Sequence, residues 1–155
     1  MDEILFKGKP IKEATEDVTT ELYAYEAFPI KDGFVYGHLI TGAQPYIVGP
    51  IEEVNNEYCS MEWWCPVIPE TIGRYSGIDD KNGKKIFMGD CVRMRSGQVR
   101  LVEFAYGSFG YFCSDEPNDF MPFADLFKLG YTSDDFEIVG NIYDNPKLPE
   151  DKTNE

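Results

Sequence analysis

Apolar and polar residues alternate along this chain in short bursts, and turn residues cut the bursts every few positions. Residues 3–7 (EILFK) read as a first strand that Gly8 and Pro10 end. Residues 33–40 (GFVYGHLI) alternate and are rich in aromatic and β-branched side chains, the pattern of a half-buried strand. Gly42 turns the chain into Tyr46-Ile47-Val48, which Gly49-Pro50 interrupts. After Asn55-Asn56, YCSMEWWC places Cys59, Met61, Trp63 and Cys65 on one face. Asn82-Gly83, two residues that tolerate positive φ, joins a segment ending at Ile78 to Lys85-Ile86-Phe87. Between the turns Gly89-Asp90 and Ser96-Gly97, Cys91, Arg93 and Arg95 share one face while Val92 and Met94 take the other. In QVRLVEFAYG, Val99, Leu101 and Glu103 alternate against Arg100, Val102 and Phe104. FGYFC and FEIVGNIY (136–143) follow, and Asn145-Pro146 ends the pattern.

One segment carries helical spacing. In MPFADLFKLG, Pro122 suits a first turn, Phe123, Leu126 and Phe127 recur on one side, and Gly130 suits a stop. The pattern therefore predicts a mainly β chain of short antiparallel strands forming a small barrel or sandwich-like core, with one short helix near residues 121–129. Its organisation reads as an N-terminal strand and variable insertion over 1–32, a single β-rich domain over 33–146, and a flexible polar tail over 147–155. Residues 11–31, with acids and threonines around LYAYEAF, read as an extended insertion.

At 155 residues the chain is long enough to bury a core without staples. No run approaches the length of a membrane-spanning helix, and MDEILFKGKP has neither a basic leader nor an apolar export core. A soluble, cytoplasmic protein with no membrane partner is expected.

The formal net charge of −14 is unevenly placed. Residues 1–70 hold 13 acids and 4 bases, residues 71–114 hold 4 acids and 7 bases, and residues 115–155 hold 11 acids and 3 bases. So acidic a chain repels phosphate backbones at long range. Only the middle third offers an anion contact, and there Arg93, Arg95 and Arg100, interleaved with Tyr106 and Phe109, are the candidates for binding an anion or a nucleic acid.

Catalytic chemistry finds little purchase. The four cysteines (Cys59, Cys65, Cys91, Cys113) form no Cys-x-x-Cys pair, which argues against a zinc ribbon, and Cys91 and Cys113 read as small core residues. His38 is the only histidine and sits in a strand with Phe34, Tyr36 and Ile40 on its face, so it reads as a structural residue. Gly-x-Ser-x-Gly, Walker and Gly-x-Gly-x-x-Gly loops are absent. The acid pairs Glu52-Glu53, Asp79-Asp80, Asp115-Glu116 and Asp134-Asp135 read as solvated turn and surface residues. No catalytic residue, metal ligand or cofactor site is predicted. The chain carries 11 Phe, 10 Tyr and 2 Trp, more rings than a core of this size needs. Adjacent Trp63 and Trp64 must point to opposite sides of a strand, which makes them the candidates for a protein contact.

The blocks VYGHLI, PETIGRYSGIDDKNGKKIFMGDCVRM, VEFAYGSFGY and FEIVGNIYDNP, in this order, resemble the YopX family of phage and prophage proteins from about Phe34 to about Leu148. Phe34 stands where that family often has tryptophan. The resemblance implies a phage or prophage accessory protein that forms homo-oligomers and carries no known catalytic residues or cofactor. The leading expectation is thus a non-enzymatic homo-oligomer that binds a host or phage protein. A nucleic-acid-binding small barrel using the three arginines is the alternative, and a carboxylate- or metal-dependent enzyme the second alternative.

Overall fold

A computed structural model of the chain describes residues 4–12, 14 and 29–149. They fall into two compact units that meet in sequence between Arg74 and Tyr75. The sequence-predicted insertion over 11–31 lies mostly outside the described residues.

The first unit is built on an antiparallel sheet. Its strands are β1 (Phe6–Gly8), β2 (Val35–Ile40), β3 (Tyr46–Val48) and β6 (Trp64–Pro66), ordered β6-β3-β2-β1, and the first residues of β7 (Gly73–Asp79) pair with β1. Asp32-Gly33 takes positive φ at both residues (55° and 83°) just before β2, and Lys31 and Phe34 exchange both backbone hydrogen bonds across it. That is the twist a two-residue hairpin turn needs. Within β2 the alternation is strict. Val35 and Gly37 are buried, while His38 and Ile40 are exposed. Val35, Ile47, Cys65 and Val67 form the core, with Phe6, Leu39 and Trp63 packed against it. Gly37 is required by the close approach of β3, because a Cβ there would lie 2.2 Å from the Val48 carbonyl oxygen.

The expected run through YCSMEWWC divides in two. Cys59–Met61 is β5, which pairs with β4 (Ile51–Val54) in a separate two-stranded ribbon, and Trp64 begins β6. Every residue of β4 is exposed, so its IEEV sequence carries no buried stripe to announce a strand.

In the second unit β7 continues through the turn at Asp80–Gly83 to β8 (Lys85–Phe87). Two three-stranded antiparallel sheets follow. One is ordered β10 (Val99–Leu101), β9 (Asp90–Met94), β14 (Phe136–Asn141), and the other β11 (Glu103–Ala105), β12 (Ser108–Phe112), β13 (Phe120–Pro122). The chain passes from one to the other at Val102, whose N–H still donates to Asp90 O and whose carbonyl accepts from Gly89 N–H. Strands that switch sheets at a bend are a device of sandwiches. QVRLVEFA is therefore two strands, and its alternation does not run through: Arg100 and Val102 are buried but Phe104 is exposed. Ile86, Val92, Met94, Val102, Tyr111, Phe123, Leu126 and Phe136 form the core. Neither sheet closes on itself, so of the two expected architectures the sandwich-like one describes this unit.

The predicted helix is present as α1 (Phe123–Lys128), with Phe123 and Leu126 buried. Met121 and Pro122, expected at its start, belong to β13 instead. Gly130 at φ 98° ends the helix: its N–H donates to Phe127 O and that of Tyr131 to Leu126 O, a Schellman closure. Leu148 is half-buried and Pro149 buried, so these two residues pack inward although they fall in the stretch read as tail. Among the described residues no helix is long and apolar enough to cross a membrane.

Candidate interaction surfaces

Cross-strand neighbours in an antiparallel sheet share a face. Register places His38 opposite Val48 and Val48 opposite Trp64, and in the next row Ile40 opposite Tyr46 and Tyr46 opposite Pro66. The other side of these strands holds Leu39, Ile47 and Cys65, the core of the first unit. The outward side is thus largely apolar, and Val48 on it is buried. Trp64 is 57% exposed on it and Ile40 46%. Tyr46 meets Trp64 edge to face, with ring centroids 5.7 Å apart.

The two tryptophans separate as neighbours flanking a strand start should. Trp63 turns inward against the core, its indole covering Gly49 so closely that a Cβ there would lie 2.3 Å from the Nε1 atom. Trp64 faces water. Burying an exposed tryptophan removes a large apolar area from water, and tryptophan is enriched where proteins meet. Sequence alternation named the pair. Ile40 and Tyr46 join them only through strand register, which a single strand read alone does not contain.

The three arginines do not form one surface. Arg93 on β9 and Arg95 just after it are exposed, while Arg100, opposite Val92 in β10, lies on the core side and is 8% exposed. Arg95 donates from Nε and Nη2 to the two Asp135 oxygens at 2.6 and 2.7 Å and stacks over Tyr131. This bidentate bond, reinforced by the Thr132 N–H, holds the Asp135 carboxyl below the usual range. Glu137 stands opposite Arg93 and binds Lys81 at 2.8 Å, and the lysine lowers its pKa in turn. Arg100 donates to Cys113 O and to the Gln98 side chain, and its guanidinium lies over Tyr111. Its Nε is buried with no hydrogen-bond partner among the described residues. Arg95 and Lys81 are thus matched by Asp135 and Glu137, acids at and just before the start of β14 that come from a distant part of the sequence.

Two of the acid pairs also depart from the solvated reading. Asp80 is 2% exposed and bonded to three backbone N–H groups, and Asp135 is engaged by Arg95. Both are structural acceptors, a use of turn carboxylates that composition alone does not distinguish from solvation. His38 is exposed on the sheet face beside Val48. Cys65 and Cys91 are buried, Cys113 is half-buried and Cys59 is exposed. Burial pushes the Cys65 thiol up to about 12. Among the described residues, no group of three or more His, Cys, Asp or Glu side chains is placed to hold a metal ion.

Fold and surface together define a mainly β protein of short antiparallel sheets that presents an aromatic sheet face to solvent. The YopX protein family model matches residues 33–150, across both compact units, and the chain belongs to this family, which is not a known enzyme family. A search of curated proteins finds no match. Among solved structures, a crystal structure of protein EF1440 from Enterococcus faecalis is similar, with a TM-score of 0.43 and 20% identity over 67% of this chain and 78% of that one.

Proposed function

We propose that this chain is a non-enzymatic accessory protein that works by binding protein, and that it self-associates through the outward face of β2-β3-β6. The carrying observation is the exposure of Trp64 beside Ile40 and Tyr46 on a regular sheet, a preformed apolar surface with little ordering left to lose on binding. A phage or prophage origin and a cytoplasmic setting are part of the same proposal. The alternative of nucleic-acid binding draws less support, since Arg100 faces the core and Arg95 is held by Asp135.

Light scattering on the purified chain tests this. The wild type is expected at a multiple of 17.7 kDa in the micromolar range, and Trp64→Ser at the monomer mass with its unfolding midpoint almost unchanged. Trp63→Ser serves as the contrast and is expected to lose about 2–4 kcal/mol of stability through lost core packing. A wild type that stays monomeric, or a Trp64→Ser variant that keeps the oligomeric mass, overturns self-association through this face.

A further inference from the structure

The second unit presents a different surface. On β11-β12-β13, Tyr111 and Met121 face the core. The opposite side carries Phe112 against Phe120 and Gly110 against Pro122. The Phe112 and Phe120 rings lie 4.9 Å apart, and the Tyr106 ring meets them at 6.4 and 5.8 Å. Tyr106 meets both rings edge to face, at 65° and 69°, and the two phenylalanines are tilted at 56°, which makes an aromatic cluster on the outside of the sheet.

Tyr106 is the unusual member. It occupies the β11–β12 turn with φ 52°, followed by Gly107 at 79°. That conformation suits asparagine or glycine and is rare for a bulky residue. Tyr106 is nevertheless 70% exposed. Its hydroxyl donates to Pro117 O at 2.6 Å, which ties the hairpin tip to the loop 114–119. The loop brings Asp115, Glu116 and Asp119, all exposed and without an ion-pair partner among the described residues. From residue 103 to residue 122 the sequence holds four acids, six aromatics and no Lys, Arg or His. Aromatic faces and unpaired carboxylates attract the same chemistry, a cation on an aliphatic stem.

We propose that the outer face of β11-β12-β13, with Tyr106, Phe112 and Phe120 beside the acidic loop 114–119, binds a lysine- or arginine-bearing segment of a partner protein. The rings touch one another, so the cation lies across the cluster rather than between its members. Charge argues against a second copy of this face as the occupant, because residues 103–122 carry four acids and no base, so two such faces repel. This surface belongs to the second unit and the Trp64 face to the first, and neither proposal depends on the other.

The test is an NMR titration of the isotope-labelled full chain with a short synthetic peptide alternating lysine and serine, with glutamine replacing lysine in the control peptide. Amide shifts are expected to concentrate in residues 103–122, to saturate, and to be absent with the control. Tyr106→Asn, which places a turn-compatible residue at the positive φ, should weaken binding about two- to fivefold, the ratio an exposed cation–π contact carries. Its unfolding midpoint should stay level or rise. Replacing Asp115, Glu116 and Asp119 by their amides should weaken binding further and flatten its salt dependence. Shifts scattered over acids elsewhere, such as Glu52, Glu53 and Glu62, would overturn the proposal. So would a Tyr106→Asn variant that binds like the wild type. Loss of oligomeric mass in Tyr106→Asn, with residues 103–122 unmoved by peptide, would assign the face to a second copy instead.

Discussion

The Asp80 carboxylate accepts a hydrogen bond from the backbone N–H of Ile138 at 3.0 Å, across 58 residues of chain. Its other oxygen accepts from Asn82 N–H and Lys84 N–H, both at 2.9 Å. One buried side chain thus shapes the β7–β8 turn and fastens it to β14, where Lys81 N–H also donates to Phe136 O. The turn itself needs positive φ only at Gly83 (77°), not at Asn82, because Asp80 supplies the acceptor that closes it.

Removing that acceptor leaves three backbone donors short of partners. Asp80→Ala is expected to destabilise the chain by about 2–4 kcal/mol. Asp80→Asn, which keeps an oxygen but sets an NH₂ against a donor, should fall in between. Urea denaturation measures both, and a loss below about 0.5 kcal/mol for the alanine variant would mean that water replaces the carboxylate at no cost.

Asp135 and Glu137 are both held below the usual carboxylate range, by Arg95 and by Lys81 respectively. A depressed folded-state pKa adds stability that is present above the unfolded value, about 4 for such groups, and is lost as pH falls through the folded value. Stability should therefore be level from neutrality down to about pH 5 and fall below about pH 4. Arg95→Gln should reduce the acid-side slope, since Asp135 then titrates nearer its unfolded value. Urea midpoints measured from pH 7 to pH 3 check this, and identical slopes in the two proteins would contradict it.

Thiol reactivity should follow burial. Cys59 is exposed in β5, whereas Cys65 and Cys91 are fully buried and the Cys65 thiol is pushed up to about 12. Iodoacetamide at mildly alkaline pH is expected to label Cys59 first, and to reach Cys65 and Cys91 only after unfolding. Peptide mass spectrometry resolves the order, and labelling of Cys65 at the rate of Cys59 would show that the first unit opens readily.

Strand positions were readable wherever one face is buried. Val35, Gly37, His38 and Ile40 alternate as the pattern predicts, and so do Val92, Arg93 and Met94, because a period of two on a half-buried surface leaves its mark in the sequence. The β4–β5 ribbon escaped since all of Ile51–Val54 is exposed. The break at Val102 escaped for another reason. A strand that changes sheets reverses which of its residues are covered, yet it needs no turn residue to do so.

The candidate surfaces divide the same way. Adjacent Trp63 and Trp64 had to point apart, but which one faces water depends on Gly49, whose bare backbone receives the Trp63 ring. Three arginines close in sequence promised one basic strip. β-pairing put Arg100 on the core side and set Glu137 against Arg93, while Asp135, just before β14, binds Arg95.

What the sequence determined by itself is therefore local: short strands, a helix ended at Gly130, an acidic and aromatic-rich chain, and the family blocks. These follow from side-chain period, turn chemistry and composition, which act over a few residues. Tertiary structure alone decided which carboxylates are buried acceptors, which charges are matched, and which rings remain in water. Each of these depends on a neighbour brought from tens of residues away, and no local pattern records that neighbour.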